Sequence, residues 1–392
     1  MSWACLLGVM GLLSVPEIAI AQNQLANPLE REIDSNDPLI PAGYGKRELS
    51  AFEISRIARE IKQLEETATR ELQQGNGDQA FELWYRQLKL VRAINTEVEI
   101  EALGKIGAIA WQSNRSWDLR NIANRLIMIE QEISVANADP KLLQPLATAY
   151  EQLRYLEQAI AIYQQILLKN KQQKNLVAEA ENLTTLGKLY IAQFNYPSAA
   201  TTYQELLTLA EAKSDSNQFN LNQVNFYLST LSDLYDRTGQ TQGVIATRKR
   251  LIGNYTASKK LERVAALELA IAGNYATLNQ IQQAKEVYQQ AVTLATAQQQ
   301  LAIADAALDS LGKLYLKEGQ EQEAIATFTQ LLEIQQQSYN DYGLINTYDT
   351  LGKIYLSSGQ NKPAKHYFQQ ALDLAQTLNY QVEYFKQQIT KL

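Results

Sequence analysis

Leu311-Gly312-Lys313-Leu314-Tyr315 returns almost unchanged as Leu351-Gly352-Lys353-Ile354-Tyr355, and also stands earlier as Leu186-Gly187-Lys188-Leu189-Tyr190. The first two copies lie forty residues apart. An internal period of this length marks an array of like units, each burying its core only against its neighbours.

The small residue after the leucine is the marker from which the rest of the unit is read. It recurs at Ala147 and Ala272. Three residues beyond each marker stands an aromatic: Tyr150, Tyr190, Tyr275, Tyr315 and Tyr355. Twelve beyond stands alanine, at Ala159, Ala199, Ala284, Ala324 and Ala364. Sixteen beyond stands a second aromatic, at Tyr163, Tyr203, Tyr288, Phe328 and Phe368. Less faithful units begin at Ala68, Gly107 and Ser232, and the intervals then run 39, 40, 40, 45, 40, 40 and 40. The long interval falls at the polar insertion Ser214-Asp215-Ser216-Asn217-Gln218, which reads as a longer loop.

Leucine, small residue and first aromatic share one stripe of a first helix, and alanine and second aromatic share one stripe of a second. Gly- and Pro-containing turns such as Glu318-Gly319-Gln320 and Asn195-Tyr196-Pro197 separate them. The expectation is that the small marker faces the alanine of the second helix, while the aromatics fill the gaps either side.

This spacing resembles the tetratricopeptide repeat in a long-helix form, over roughly residues 48–378. The resemblance implies an all-α protein, a right-handed α-solenoid (superhelix) of about eight helix pairs with a C-terminal capping helix. It also implies a non-catalytic scaffold that holds partner proteins on a concave groove lined by the first helices. The expected organisation is a signal peptide at 1–21, an extended linker at 22–45, the solenoid at 46–378 and the capping helix at 379–392. Ser50-x-x-Glu53 is a capping box opening a helix whose apolar side includes Phe52, Ile57, Ile61 and Leu64.

The first residues read differently from the array. Ala4 to Val15 is apolar and Ala19-Ile20-Ala21 precedes Gln22, the pattern of a secretory leader and its cleavage site, although no Lys or Arg precedes the apolar core. Cys5 is the single cysteine and lies inside that leader. Pro28, Pro38, Pro41, Gly43 and Gly45 make the next stretch read as a tether. Together these features resemble exported cyanobacterial tetratricopeptide-repeat proteins, some of which assist photosynthetic-complex assembly. The expected destination is an exported compartment, periplasm or thylakoid lumen.

Composition narrows the chemistry. With 36 Lys and Arg against 42 Asp and Glu, the net charge is −6. No basic stripe is present, so nucleic acid is not an expected partner. His366 is the single histidine, which removes His-based triads and His-rich metal sites. No phosphate-binding glycine loop is present. Two carboxylates alone could serve a glycosidase, but the acids follow helical surface spacing. No enzyme, cofactor or metal is expected.

Residues flanking the markers on the first helices are the candidate groove positions: Thr184 and Lys188, Ser229 and Asp233, Asp309 and Lys313, Asp349 and Lys353. Lys188, Lys313 and Lys353 each follow a marker directly, so an acidic segment or chain-terminal carboxylate is one candidate ligand. The competing reading makes Asp309–Lys313 and Asp349–Lys353 surface pairs four residues apart. Trp111, Arg115 and Trp117 form a candidate hot spot, with burial in the core as the alternative. The expected partners are one or more proteins or peptides, with acidic segments and peripheral association with a membrane complex as candidates. A peptide-sensing regulatory receptor and an accessory subunit of an envelope glycan-acting enzyme are the alternative functions.

Overall fold

The computed structural model describes residues 27–30, 37–41, 44, 47–135, 140–212 and 220–392. The expected signal peptide and the polar insertion at 214–218 lie outside the described residues. The described chain is all-α and divides into two compact units at residues 162 and 163.

The first unit contains α1 (Ala51–Gln73), α2 (Gly77–Arg92), α3 (Thr96–Gln112), α4 (Ser116–Val135), a 3-10 turn (Pro140–Leu142) and α5 (Leu143–Gln152). Helix α1 begins at the capping box: the Glu53 amide donates to the Ser50 hydroxyl at 3.3 Å, and the Ser50 amide donates to the Glu53 carboxylate at 2.8 Å. Ile57, Leu64 and Ala68 form its buried stripe. Phe52 departs from the expected apolar side and is 79% exposed, because residue 52 lies a full turn and a half from Ile57 and faces away from that stripe.

The stretch expected as an extended linker is docked at its described residues. Leu29 and Ile40 are buried, and Ile40 joins Ile57, Leu64 and Leu90 in one apolar cluster. Arg92 donates to the Leu29 carbonyl at 2.9 Å, the Asn27 amide donates to the Asn121 carbonyl at 3.3 Å, and Arg86 grips Asp37 through two hydrogen bonds. Apolar residues among the prolines, which a reading based on Pro and Gly content overlooks, fix this stretch to α1 and α2.

Helix α6 (Leu156–Gln172) contains the division between the units. The second unit continues with α7 (Leu176–Ala192), α8 (Tyr196–Ala212), α9 (Leu221–Arg237), α10 (Thr241–Ala257), α11 (Val264–Thr277), α12 (Ile281–Ala297), α13 (Leu301–Lys317), α14 (Glu321–Gln337), α15 (Asp341–Ser357), α16 (Asn361–Leu378) and α17 (Val382–Thr390). Its helices pack in sequence as hairpins, α7 on α8 through α15 on α16, and each second helix also packs on the next first helix.

The forty-residue period has a simple origin. Helices of 17 residues alternate with three-residue turns, which makes the half-period twenty. Each turn closes the same way. The Gly319 amide donates to the Leu316 carbonyl and the Gln320 amide to the Tyr315 carbonyl, with Gly319 at φ +70°, the geometry of a Schellman cap. Left-handed residues therefore recur at 239, 259, 279, 299, 319, 339, 359 and 379.

The marker does not face the alanine, as expected, but the second aromatic. A Cβ built on Gly187, Gly312 or Gly352 would lie 2.7–2.8 Å from the ring of Tyr203, Phe328 or Phe368. The ring sixteen residues on thus lies over the bare backbone of its own hairpin. Gly107 lacks such an aromatic, since Ala123 stands at that place, and Leu153 fills the space over it instead. At the end of the unit, fully buried Phe385 of α17 joins Phe368, Ala371 and Ala375. Among the described residues no helix is long and apolar enough to cross a membrane.

Candidate functional site

On the first-helix face of the second unit, α7 contributes Val177, Ala180, Glu181, Thr184 and Lys188, at the spacing that keeps side chains on one helical face. They line a cleft of about 560 Å³ completed by Gln223 and Tyr227 of α9. The Thr184 hydroxyl donates to the Ala180 carbonyl at 2.8 Å. Burial raises the Tyr227 hydroxyl above its ordinary pKa, and a hydrogen bond with Thr184 opposes that rise. Thr184 and Lys188 therefore stand together in one cleft.

The other candidate positions differ. The Lys313 ammonium is 2.6 Å from the Asp309 carboxylate, and that of Lys353 is 2.6 Å from Asp349. Asp349 also accepts from the Tyr384 hydroxyl at 2.9 Å, while Lys353 lies over the Tyr384 ring. The hydrogen bond to Asp349 raises the Lys353 pKa. Two of the three marker lysines are thus neutralised by their own helices. Lys188 has Thr184, not an acid, four residues before it. Asp233 and Ser229 are exposed on α9 outside the cleft.

Trp111 and Trp117 are 51% and 40% exposed, so neither is a core residue of the usual kind. Arg115 between them is engaged: it pairs with Asp78 at 2.8 Å and Asp118 at 2.6 Å, and lies over the Phe81 ring. It staples the start of α2 to the start of α4. Trp117 meets Tyr85 edge-on, with ring centroids 6.2 Å apart.

Sequence reasoning missed three features. A groove of about 760 Å³ runs along the second-helix face of α8, lined by Ala200, Gln204, Thr208 and Ala212; their four-residue spacing was the available signal. In the first unit Glu99 is 2% exposed and binds both Arg92, at 2.9 Å, and Arg125, at 2.7 and 3.0 Å. A smaller cavity of about 150 Å³ lies between α1 and α3. Among the described residues no group of three His, Cys, Asp or Glu side chains is placed to hold a metal ion. His366 is exposed on α16, edge-on to Tyr367.

Helical hairpins stacked in order, with lined clefts on both helix faces of the second unit, define a helical-repeat protein. Tetratricopeptide-repeat models match residues 303–377 and 269–298, so this part of the chain carries tetratricopeptide repeats, a module through which other proteins bind proteins and peptides. No curated protein sequence matches the chain. Among solved structures, BtubC (BKLC) from P. vanneervenii is 20% identical, over 57% of this chain and 92% of that one, with a TM-score of 0.37. Aspartyl phosphate phosphatase F from Bacillus subtilis is 17% identical, over 71% and 76%, with a TM-score of 0.38. A tetratricopeptide repeat protein from Parabacteroides merdae is 17% identical, over 85% and 98%, with a TM-score of 0.30.

Proposed function

We propose that this chain is a non-catalytic scaffold of an exported compartment, and that it captures an acidic segment of a client protein in the cleft between α7 and α9. The observation that carries this reading is the contrast among the marker lysines. Lys313 and Lys353 are paired to aspartates on their own helices, whereas Lys188 lines the cleft beside Thr184. An ammonium with no acid four residues before it, next to hydroxyls and a buried tyrosine in a cleft that Glu181 also lines, suits a carboxylate that brings its own charge. Val177, Ala180 and Tyr227 supply the apolar surface against which the ligand's carbon atoms lie.

Binding of an acetylated Glu- and Asp-rich peptide, followed by titration calorimetry, tests the reading. Lys188→Ala weakens capture severalfold without lowering the melting temperature. Equal capture by the variant overturns it. N-terminal sequencing of the chain from its native cells tests export: a start at Gln22 supports the leader reading, and an intact Met1 in soluble extract rejects it. Crosslinking in those cells, with mass spectrometry, identifies the client and shows whether it belongs to a membrane complex.

A further inference from the structure

The α7–α9 cleft changes character along its length. Its apolar lining, Leu176, Val177 and Ala180, lies at the start of α7, and its base, Lys188, lies toward the other end. Between them stand the exposed Glu181 and the half-buried hydroxyls of Thr184 and Thr185. These positions recur every three or four residues and so share one stripe of the helix.

The apolar end is open to solvent. Val177 is 51% exposed, and the matching place in the next three units holds Asn222, Glu262 and Ala302. Helices α7 and α9 begin at the same place relative to their markers, Gly187 and Ser232, and the first residue of α9, Leu221, is 44% exposed. Apolar side chains left in water at one level of two helices that line one cleft gain little from folding, and offer burial to a ligand.

The two ends are a set distance apart. Val177 and Lys188 lie three turns apart on α7, about 16 Å along its axis. An extended chain covers that distance in about five residues. The Glu181 carboxylate between the two ends repels an acid placed in mid-segment, while Gln223, exposed on α9, offers an amide to the backbone of a ligand there.

We infer that the cleft selects an extended segment carrying one large apolar residue about five positions from a single acid, with uncharged residues between. The inference rests on the reading of this cleft as the site of acid capture, and adds a second anchor and a spacing to it.

Titration calorimetry with acetylated peptides of Ser and Gly tests it. Two peptides carry Leu and Glu at that spacing, one in each chain direction. The better of them binds about tenfold more tightly than its counterpart with Ser for the Leu, the gain from burying part of a leucine. Moving the Leu next to the Glu loses the gain, and so does Val177→Ser. Filling the interval with further Glu weakens binding, and Glu181→Gln relieves part of that loss. Equal affinity with and without the Leu, or with the Leu next to the Glu, overturns the inference. If Lys188→Ala still weakens binding in that case, acid capture itself stands. Failure of every peptide to bind overturns both readings.

Discussion

The ring of Phe328 points its para edge at Gly312, so that a Cβ on Gly312 would lie 2.7 Å from the ring's Cζ. Phe328 is 1% exposed and cannot swing away without opening the core. Gly312→Leu therefore overpacks the α13–α14 hairpin and destabilises the protein by about 1–3 kcal/mol. Denaturant unfolding measures this, and an unchanged midpoint would place the ring elsewhere.

Glu268 stands where the other units carry Leu64, Leu103, Leu143, Leu183, Leu228, Leu308 and Tyr348. Its Oε2 is buried and accepts no hydrogen bond, and desolvation raises its pKa above the ordinary 4.5. Between the ordinary value and the raised one the folded state holds more protons than the unfolded chain. Its contribution is therefore least unfavourable below pH 4.5, and stability is lost as pH rises through the folded value. Glu268→Leu removes this slope and adds about 1 kcal/mol near neutrality. Thermal melts of both proteins across the acid range decide it; parallel curves would show that Glu268 has a partner.

Tyr339 and Phe194 occupy left-handed turn positions at φ +55° and +59°, while 90% and 76% exposed. Neither gains burial to offset the crowding of its Cβ. Asn379 holds the matching place forty residues after Tyr339. Tyr339→Asn accordingly stabilises the α14–α15 turn, by up to about 1 kcal/mol, read from the melting temperature.

Glu99 bridges two arginines in a nearly dry site. Glu99→Leu takes the shared carboxylate from half-buried Arg92 and from buried Arg125, which keeps only the exposed Glu132 at 3.3 Å, and costs about 3–5 kcal/mol. Hydrogen exchange then accelerates in α3 and α4, and protease reaches residues 27–30 sooner because Arg92 no longer holds the Leu29 carbonyl in place. Protection equal to that of the unaltered protein would refute this role.

Lys313→Ala changes stability by no more than about 0.5 kcal/mol, as expected for an exposed pair four residues apart, and Lys353→Ala costs up to about 1 kcal/mol because it also uncovers the Tyr384 ring. Their capture of the acidic peptide equals that of the unaltered chain, in contrast to Lys188→Ala. A loss like that of Lys188→Ala would extend the binding wall beyond the α7–α9 cleft.

The hairpins were legible because the marker, alanine and aromatics must recur wherever two helices meet in the same way. The partner of the marker was not, since spacing places Ala324 and Phe328 on one stripe but cannot tell which of them meets Gly312. Burial of Leu29 and Ile40 was hidden by the prolines around them. Thr184 and Lys188 could be placed on one wall from their four-residue spacing, whereas the engagement of Lys353 depends on Tyr384, which comes from a different helix. Glu268 was visible in the aligned units as a polar residue in an apolar column. Its meaning required knowing that no donor reaches it.

The turn after a first helix and the turn after a second helix share one three-residue form, so the molecule is graduated like a ruler in steps of twenty. Insertion or loss of forty residues among α9–α16 rejoins like to like, and every Gly marker still meets its ring. A change of twenty would put a second helix where a first belongs, with Leu332 or Leu372 in the place of a glycine marker. The array can therefore lengthen or shorten the surface it offers in whole hairpins, and a descendant of this chain with one more or one fewer would keep its remaining clefts unaltered.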